Sequence, residues 1–172
     1  REAFFKSFMF DEVFGKTKTT DELFIKSNID FSFVKDRSVL VIGGGPSSKN
    51  LTDDQIRSYD LVFSCNHFFK NDSLKKHKVH VALIGDEVDF NDPEFLEYVN
   101  NHNPILGFDH SARRPAFHLL KFREAYPLAF IWLTRYFSRL GYVPRACVLA
   151  KIFGASKIDF IGLDGFKTNE HF

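Results

Sequence analysis

The chain is poor in the residues that mark several classes of protein. It holds only two cysteines, Cys65 and Cys147, far apart and without Cys-x-x-Cys spacing. Neither a disulfide scaffold nor a zinc site is implied, and a reducing compartment is the default expectation. An excess of one charge is missing too, since 23 Lys and Arg face 22 Asp and Glu, for a formal net charge of +1. A dedicated nucleic-acid binder needs a basic excess to release counterions, so the balance argues against that class. No apolar run reaches the roughly 20 residues that span a bilayer. No signal peptide is expected. The expected place is the cytoplasm, free or peripheral at a membrane. Trp and Met occur once each against 22 Phe, an excess that reflects codon bias as well as core and carries little functional weight.

What is present suffices for one domain. The 172 residues are 44% hydrophobic and 26% charged, the balance of one compact domain with a real core. The chain opens on Arg1 and stops at Phe172, just after what reads as a functional loop, so a trimmed fragment is expected. Phe4, Phe5, Phe8 and Val13 fall near helical spacing, and Thr20-Asp21 offers a cap for a second short helix from Glu22 to Ser27. Residues 1–36 therefore read as a helical strap or as the remnant of a neighbouring domain.

Residues 37–172 read as a Rossmann-like α/β domain, truncated at its C-terminus, with a mostly parallel central sheet and helices on both faces. Ser38 to Ile42 is a β-branched run ending in glycines, the pattern of a buried parallel strand. Further strands are predicted at 60–65, 79–84, 104–108, 128–133 and 157–161. Helices are predicted from Thr52, from Asn91-Asp92-Pro93-Glu94, near 115–124, and from Pro144 to Phe153.

Four places carry candidate chemistry. Gly43-Gly44-Gly45-Pro46-Ser47 follows the first strand directly. Glycines there let backbone amides approach an anionic phosphate, although the run is neither a full G-x-G-x-x-G nor a P-loop. Ser64-Cys65-Asn66-His67 closes the second strand, and Asn66 stands where a dinucleotide enzyme places a carboxylate, which weakens an NAD reading. Asp86, Glu87 and Asp89 form an acidic turn that reads as solvated more readily than as a magnesium site. Gly162-Leu163-Asp164-Gly165 closes the last strand, with His171 shortly after as a candidate general base. Arg113-Arg114 and Arg145 are candidate anion clamps, Arg145 at a helix start.

Taken in order, three of these segments look like the bacterial sialyltransferases of glycosyltransferase family 42. They are strand–Gly-x-Gly-Pro-Ser, an apolar strand closing in Cys-Asn, and Phe-Gly-Ala-Ser-Lys-Ile-Asp-Phe-Ile-Gly-Leu-Asp-Gly-Phe after a late helix. The order is also similar to Maf-type flagellin glycosyltransferases and to MptE-like pterin diphosphokinase domains. The resemblance covers roughly Ser38 to Phe166. It implies that Gly43, Gly44, Gly45, Pro46, Ser47, Asn66, Arg145, Gly162, Leu163, Asp164 and Gly165 surround a cytidine monophosphate (CMP) sugar donor, and that His171 deprotonates an acceptor hydroxyl for direct displacement. It implies no required metal or resident cofactor. The sequence departs from the family at Pro144-Arg145-Ala146, where Thr-Ser-Gly is usual, and at Phe166, where the family has a phosphate-holding Tyr. The family's catalytic His lies further downstream than His171. Expected partners are a nucleotide-sugar and a glycan or glycoprotein acceptor, with self-association left open. A magnesium-dependent pterin diphosphokinase-like phosphotransferase and a noncatalytic nucleotide-binding module of a larger protein stand as alternatives.

Overall fold

A computed structural model describes residues 23–26, 29–85, 87–109, 125–126, 128–134 and 141–164. Seven strands form one sheet: β1 (Leu23–Lys26), β2 (Ser38–Ile42), β3 (Leu61–Cys65), β4 (Val81–Ile84), β5 (Ile105–Asp109), β6 (Ala129–Thr134) and β7 (Lys157–Ile161). Their order across the sheet is β1-β6-β5-β4-β3-β2-β7. The six strands from β6 to β7 are parallel, and β1 is antiparallel to β6. This is the Rossmann-like α/β architecture that the sequence pattern predicts.

β2, β3 and β4 are apolar at nearly all successive positions because both sheet faces are covered there. Leu40, Ile42, Val62 and Leu106 pack on one face, with Ile56, Phe95 and Tyr98 of the overlying helices. Val39, Val41, Phe63, Val81 and Leu83 pack on the other, with Ala146, Leu149 and Ala150. Among the described residues three helices supply these layers: α1 (Asp53–Arg57), α2 (Pro93–His102) and α3 (Tyr142–Ile152). Thr52 and Gln55 cap α1 reciprocally, each accepting from the other's backbone N–H. The Asp92 side chain caps α2, Pro93 sits in its first turn, and Asn103 ends it in the left-handed conformation.

The expected helix from Glu22 to Ser27 is corrected by the structure. Leu23–Lys26 is a strand, paired with β6 in the register Leu23↔Thr134 to Lys26↔Ile131. A short apolar run does not reveal its period, and a one-turn helix is marginal without packing. The edge of β6 instead supplies partners for its backbone. The expected helices at Phe4–Val13 and near 115–124 lie outside the described residues. Among the described residues no helix is long and apolar enough to cross a membrane.

Candidate functional site

The strand order reverses beside β2. From β2 the chain steps outward through β3, β4, β5 and β6, then returns to lay β7 on the opposite side of β2. In open α/β sheets such a reversal opens a crevice at the carboxyl ends of the two strands, where ligands bind. Here the two flanking loops are Gly43–Ser47 and Gly162–Asp164, so segments more than 110 residues apart in sequence meet at one point.

They meet closely. The N–H of Gly43 donates to the Ile161 carbonyl at 2.8 Å, and that of Gly45 to the Gly162 carbonyl at 3.0 Å. Ser47 donates both its backbone N–H (2.9 Å) and its hydroxyl (2.8 Å) to Oδ2 of Asp164. The Gly162 N–H donates to the Ser47 hydroxyl oxygen at 3.1 Å. The Ser47 amide and then its hydroxyl hold the Asp164 carboxyl below its ordinary pKa. A Cβ at Gly43 would stand 2.6 Å from the Gly162 carbonyl oxygen, and one at Gly45 would stand 2.7 Å from it. Gly162 itself has φ +79° and passes against the Gly43 backbone. These glycines are therefore required by the approach of loop to loop. The sequence pattern offers the Gly43–Gly45 amides to an incoming phosphate, but those of Gly43 and Gly45 are already spent within the fold. At Ser47 the Asp164 carboxylate holds the position a phosphate oxygen would take.

The N-terminus of α3 overhangs the same sheet edge. Val143 packs on Gly43, and the Tyr142 hydroxyl lies over Gly85, the residue that follows β4. Gly141 precedes the helix at φ +66° with no side-chain cap, and no acidic residue occupies the first turn. Arg145 was expected to face an anion from this turn. It is instead only 4% exposed, its guanidinium carbon 4.4 Å above the Trp132 ring and 5.0 Å above the Tyr142 ring. Cation–π contact with the flat guanidinium ties Tyr142 and the start of α3 to Trp132 of β6.

Asn66 stands at the end of β3 in the left-handed conformation, φ 46°. Its side-chain oxygen accepts the Gly85 N–H at 3.0 Å, and its amide donates to Oε2 of Glu87 at 3.2 Å. It thus joins the ends of β3 and β4 and fixes a carboxylate at the mouth of the crevice. Behind it Cys65 is buried, and burial, with a lesser contribution from Glu87, pushes its thiol up to about 12. That cysteine is inert packing rather than a nucleophile. Asp89 accepts the Asn91 N–H at 2.9 Å within its own turn. Among the described residues no three His, Cys, Asp or Glu side chains cluster as metal ligands.

The structure thus brings Gly43, Gly45, Ser47, Gly162 and Asp164 together, with Asn66 at the end of the strand next to β2. Leu163 is exposed beside them. Gly165, His171, Asp86, Arg113 and Arg114 lie outside the described residues. Sequence reasoning missed Tyr142 and Gly85. A signal was present, since Gly85 follows β4 as Gly43 follows β2. No family model matches the chain, and no curated protein matches it.

Proposed function

We propose that this chain is a glycosyltransferase of the sialyltransferase-like type, taking a sugar from a nucleotide-activated, CMP-linked donor to an acceptor hydroxyl by direct displacement. The observation that carries the reading is the meeting of Gly43–Ser47 and Gly162–Asp164 at the topological switch point. They are two of the motifs whose order resembles that family, and Asn66, the end of the third, closes the neighbouring strand. In this reading the nucleotide lies across the ends of β2, β3 and β7 under the N-terminus of α3. Its phosphate displaces the Asp164 carboxylate from Ser47, and the freed carboxylate turns to a ribose hydroxyl. The acceptor hydroxyl loses its proton to His171 and attacks the anomeric carbon. The bond to the phosphate oxygen breaks, and CMP leaves with that electron pair, stabilised by the Ser47 donors.

One observation favours a second reading. The Ser47 amide and hydroxyl are both held by Asp164, so the loop is satisfied without a ligand. A noncatalytic module, whose loops serve only to close the sheet edge, accounts for that as well. Thermal shifts with CMP, CDP, UDP, GDP, NAD and ATP plus magnesium separate the readings. Stabilisation by CMP without metal, about 2.7 kcal/mol at 100 times Kd, is the expected result. Stabilisation by ATP only with magnesium would move the chain to the phosphotransferases. Stabilisation by none of these ligands leaves the noncatalytic module.

A further inference from the structure

Among the described residues β7 lies at an edge of the sheet and pairs with β2 alone. An open edge strand presents a row of unpaired backbone groups, and proteins ordinarily blunt it or use it. Among the described residues the four most exposed large apolar side chains belong to this strand, to the turn after it and to α3. Phe160 of β7 is 58% exposed and Leu163 just beyond it 53%, while Ile152 and Val148 of α3, the helix packed on this end of the sheet, are 54% and 50% exposed.

The backbone fixes which groups are free. Ile161 uses its carbonyl on Gly43, and the Lys157 N–H points to the Arg37 carbonyl, so Lys157, Asp159 and Ile161 turn their backbone groups toward β2. Backbone groups alternate along a strand, which leaves the N–H and C=O of Ile158 and Phe160 directed outward. A second copy pairing antiparallel about a twofold axis must centre on one residue of β7. Centring on Lys157 or Asp159 sets like charges directly opposite each other. Centring on Phe160 or Ile161 leaves the charges unmatched. Centring on Ile158 uses its two outward groups reciprocally and sets Lys157 opposite the partner's Asp159, and Asp159 opposite the partner's Lys157. It also faces Phe160 with the partner's small Ser156. Cross-strand pairs of opposite charge favour a register, and like pairs oppose it.

We propose that two copies of this chain associate through β7, antiparallel about Ile158, to form one sheet continuous across both. Lys157 and Asp159 already pair along the strand at 2.9 Å, and Asp159 accepts the Tyr59 hydroxyl at 2.6 Å. The occupant of the edge is a second copy because only in this register does each of the two charges gain a second opposite neighbour across the axis.

Sedimentation equilibrium across a wide range of protein concentration tests this. A concentration-dependent dimer is expected. Lys157→Asp alone and Asp159→Lys alone should each weaken it roughly tenfold, since each sets two like-charged pairs face to face. The combined swap, Lys157→Asp with Asp159→Lys, should restore association, because opposite charges again meet across the axis. Phe160→Ser, at an exposed side chain, serves as a variant that keeps the fold and should also weaken the dimer. A chain that stays monomeric at every concentration overturns the proposal. A dimer indifferent to both single reversals, or not rescued by the swap, overturns the register and the edge together.

Discussion

Gly43, Gly45 and Gly162 are small because two loops cross at touching distance, and this is a claim about single atoms. If the glycines served only the approach of a ligand, a methyl group would spare stability and weaken binding. If they serve the crossing, stability itself must fall. Gly45→Ala places its Cβ against the Gly162 carbonyl and the Asp164 carboxylate, both anchored by hydrogen bonds. Overpacking of this kind costs about 1–3 kcal/mol. Urea unfolding of Gly45→Ala should show that loss without any ligand present. Gly141→Ala is the contrast, since nothing lies within 4 Å of its Cβ position and only the positive φ opposes the change. Equal stability of Gly45→Ala and the parent chain would return the glycine run to the phosphate reading. The location of this loop was legible in the sequence, because glycines directly after a buried strand mark the ligand edge of an α/β sheet. That Asp164 shares its edge was expected, but not that Asp164 takes the Ser47 amide and hydroxyl. Asp164 lies 117 residues from Ser47, and no local pattern reports a bond across that separation. Arg145 misled for a related reason, since a helix-start position says nothing of the Trp132 ring that β6 brings beneath it.

At the scale of elements, the buried central strands were legible and the edge strand β1 was not. β2 and β4 announce themselves because burial on both faces demands apolar residues at Val39–Ile42 and Val81–Ile84. β1 is as short as β4, but its conformation is decided by the edge of β6 rather than by its own period. The start of β4 shows a second device that pattern cannot reveal. His80 donates its backbone N–H to the Val62 carbonyl at 2.8 Å, and its ring Nδ1 accepts the Val62 N–H at 3.1 Å. The side chain completes the ladder between β3 and β4, and it can accept only while Nδ1 is unprotonated. Burial, and then the neighbouring charge of Lys78, hold this imidazole below its ordinary pKa. A depressed folded-state pKa means that the unfolded chain binds the proton first. The contribution is therefore complete above about pH 6.5 and is lost as pH falls toward the folded value. Between pH 7 and 5 the parent chain should lose about 1 kcal/mol at this joint, the worth of one hydrogen bond. His80→Asn, whose side chain does not titrate, should flatten that part of the profile in chemical unfolding. An unchanged slope in the variant would show that the joint does not sense protons.

For the molecule as a whole, the question is whether the two faces of the sheet stand or fall together. One layer packs Phe95 and Tyr98 of α2 with Ile56 of α1 against Leu40 and Val62. The opposite layer packs Ala146 and Leu149 of α3 against Val39, Val41 and Phe63. The layers share no side chains, but they share every backbone hydrogen bond of β2, β3 and β4, because alternate residues of one strand serve opposite faces. A strand that leaves one layer must leave the other, so unfolding should be a single transition. The switch-point crevice inherits this, since its loops hang from β2 and β7 and its overhanging helix belongs to one layer only. Phe95→Ala and Phe63→Ala, both fully buried, should each cost about 3–5 kcal/mol and lower one common midpoint. Far-ultraviolet circular dichroism and fluorescence of Trp132, a residue of β6, should trace coincident curves in both variants. If Phe95→Ala splits them into two steps while Phe63→Ala does not, the α2 layer is an independent unit. The crevice would then rest on the α3 layer and its strands alone.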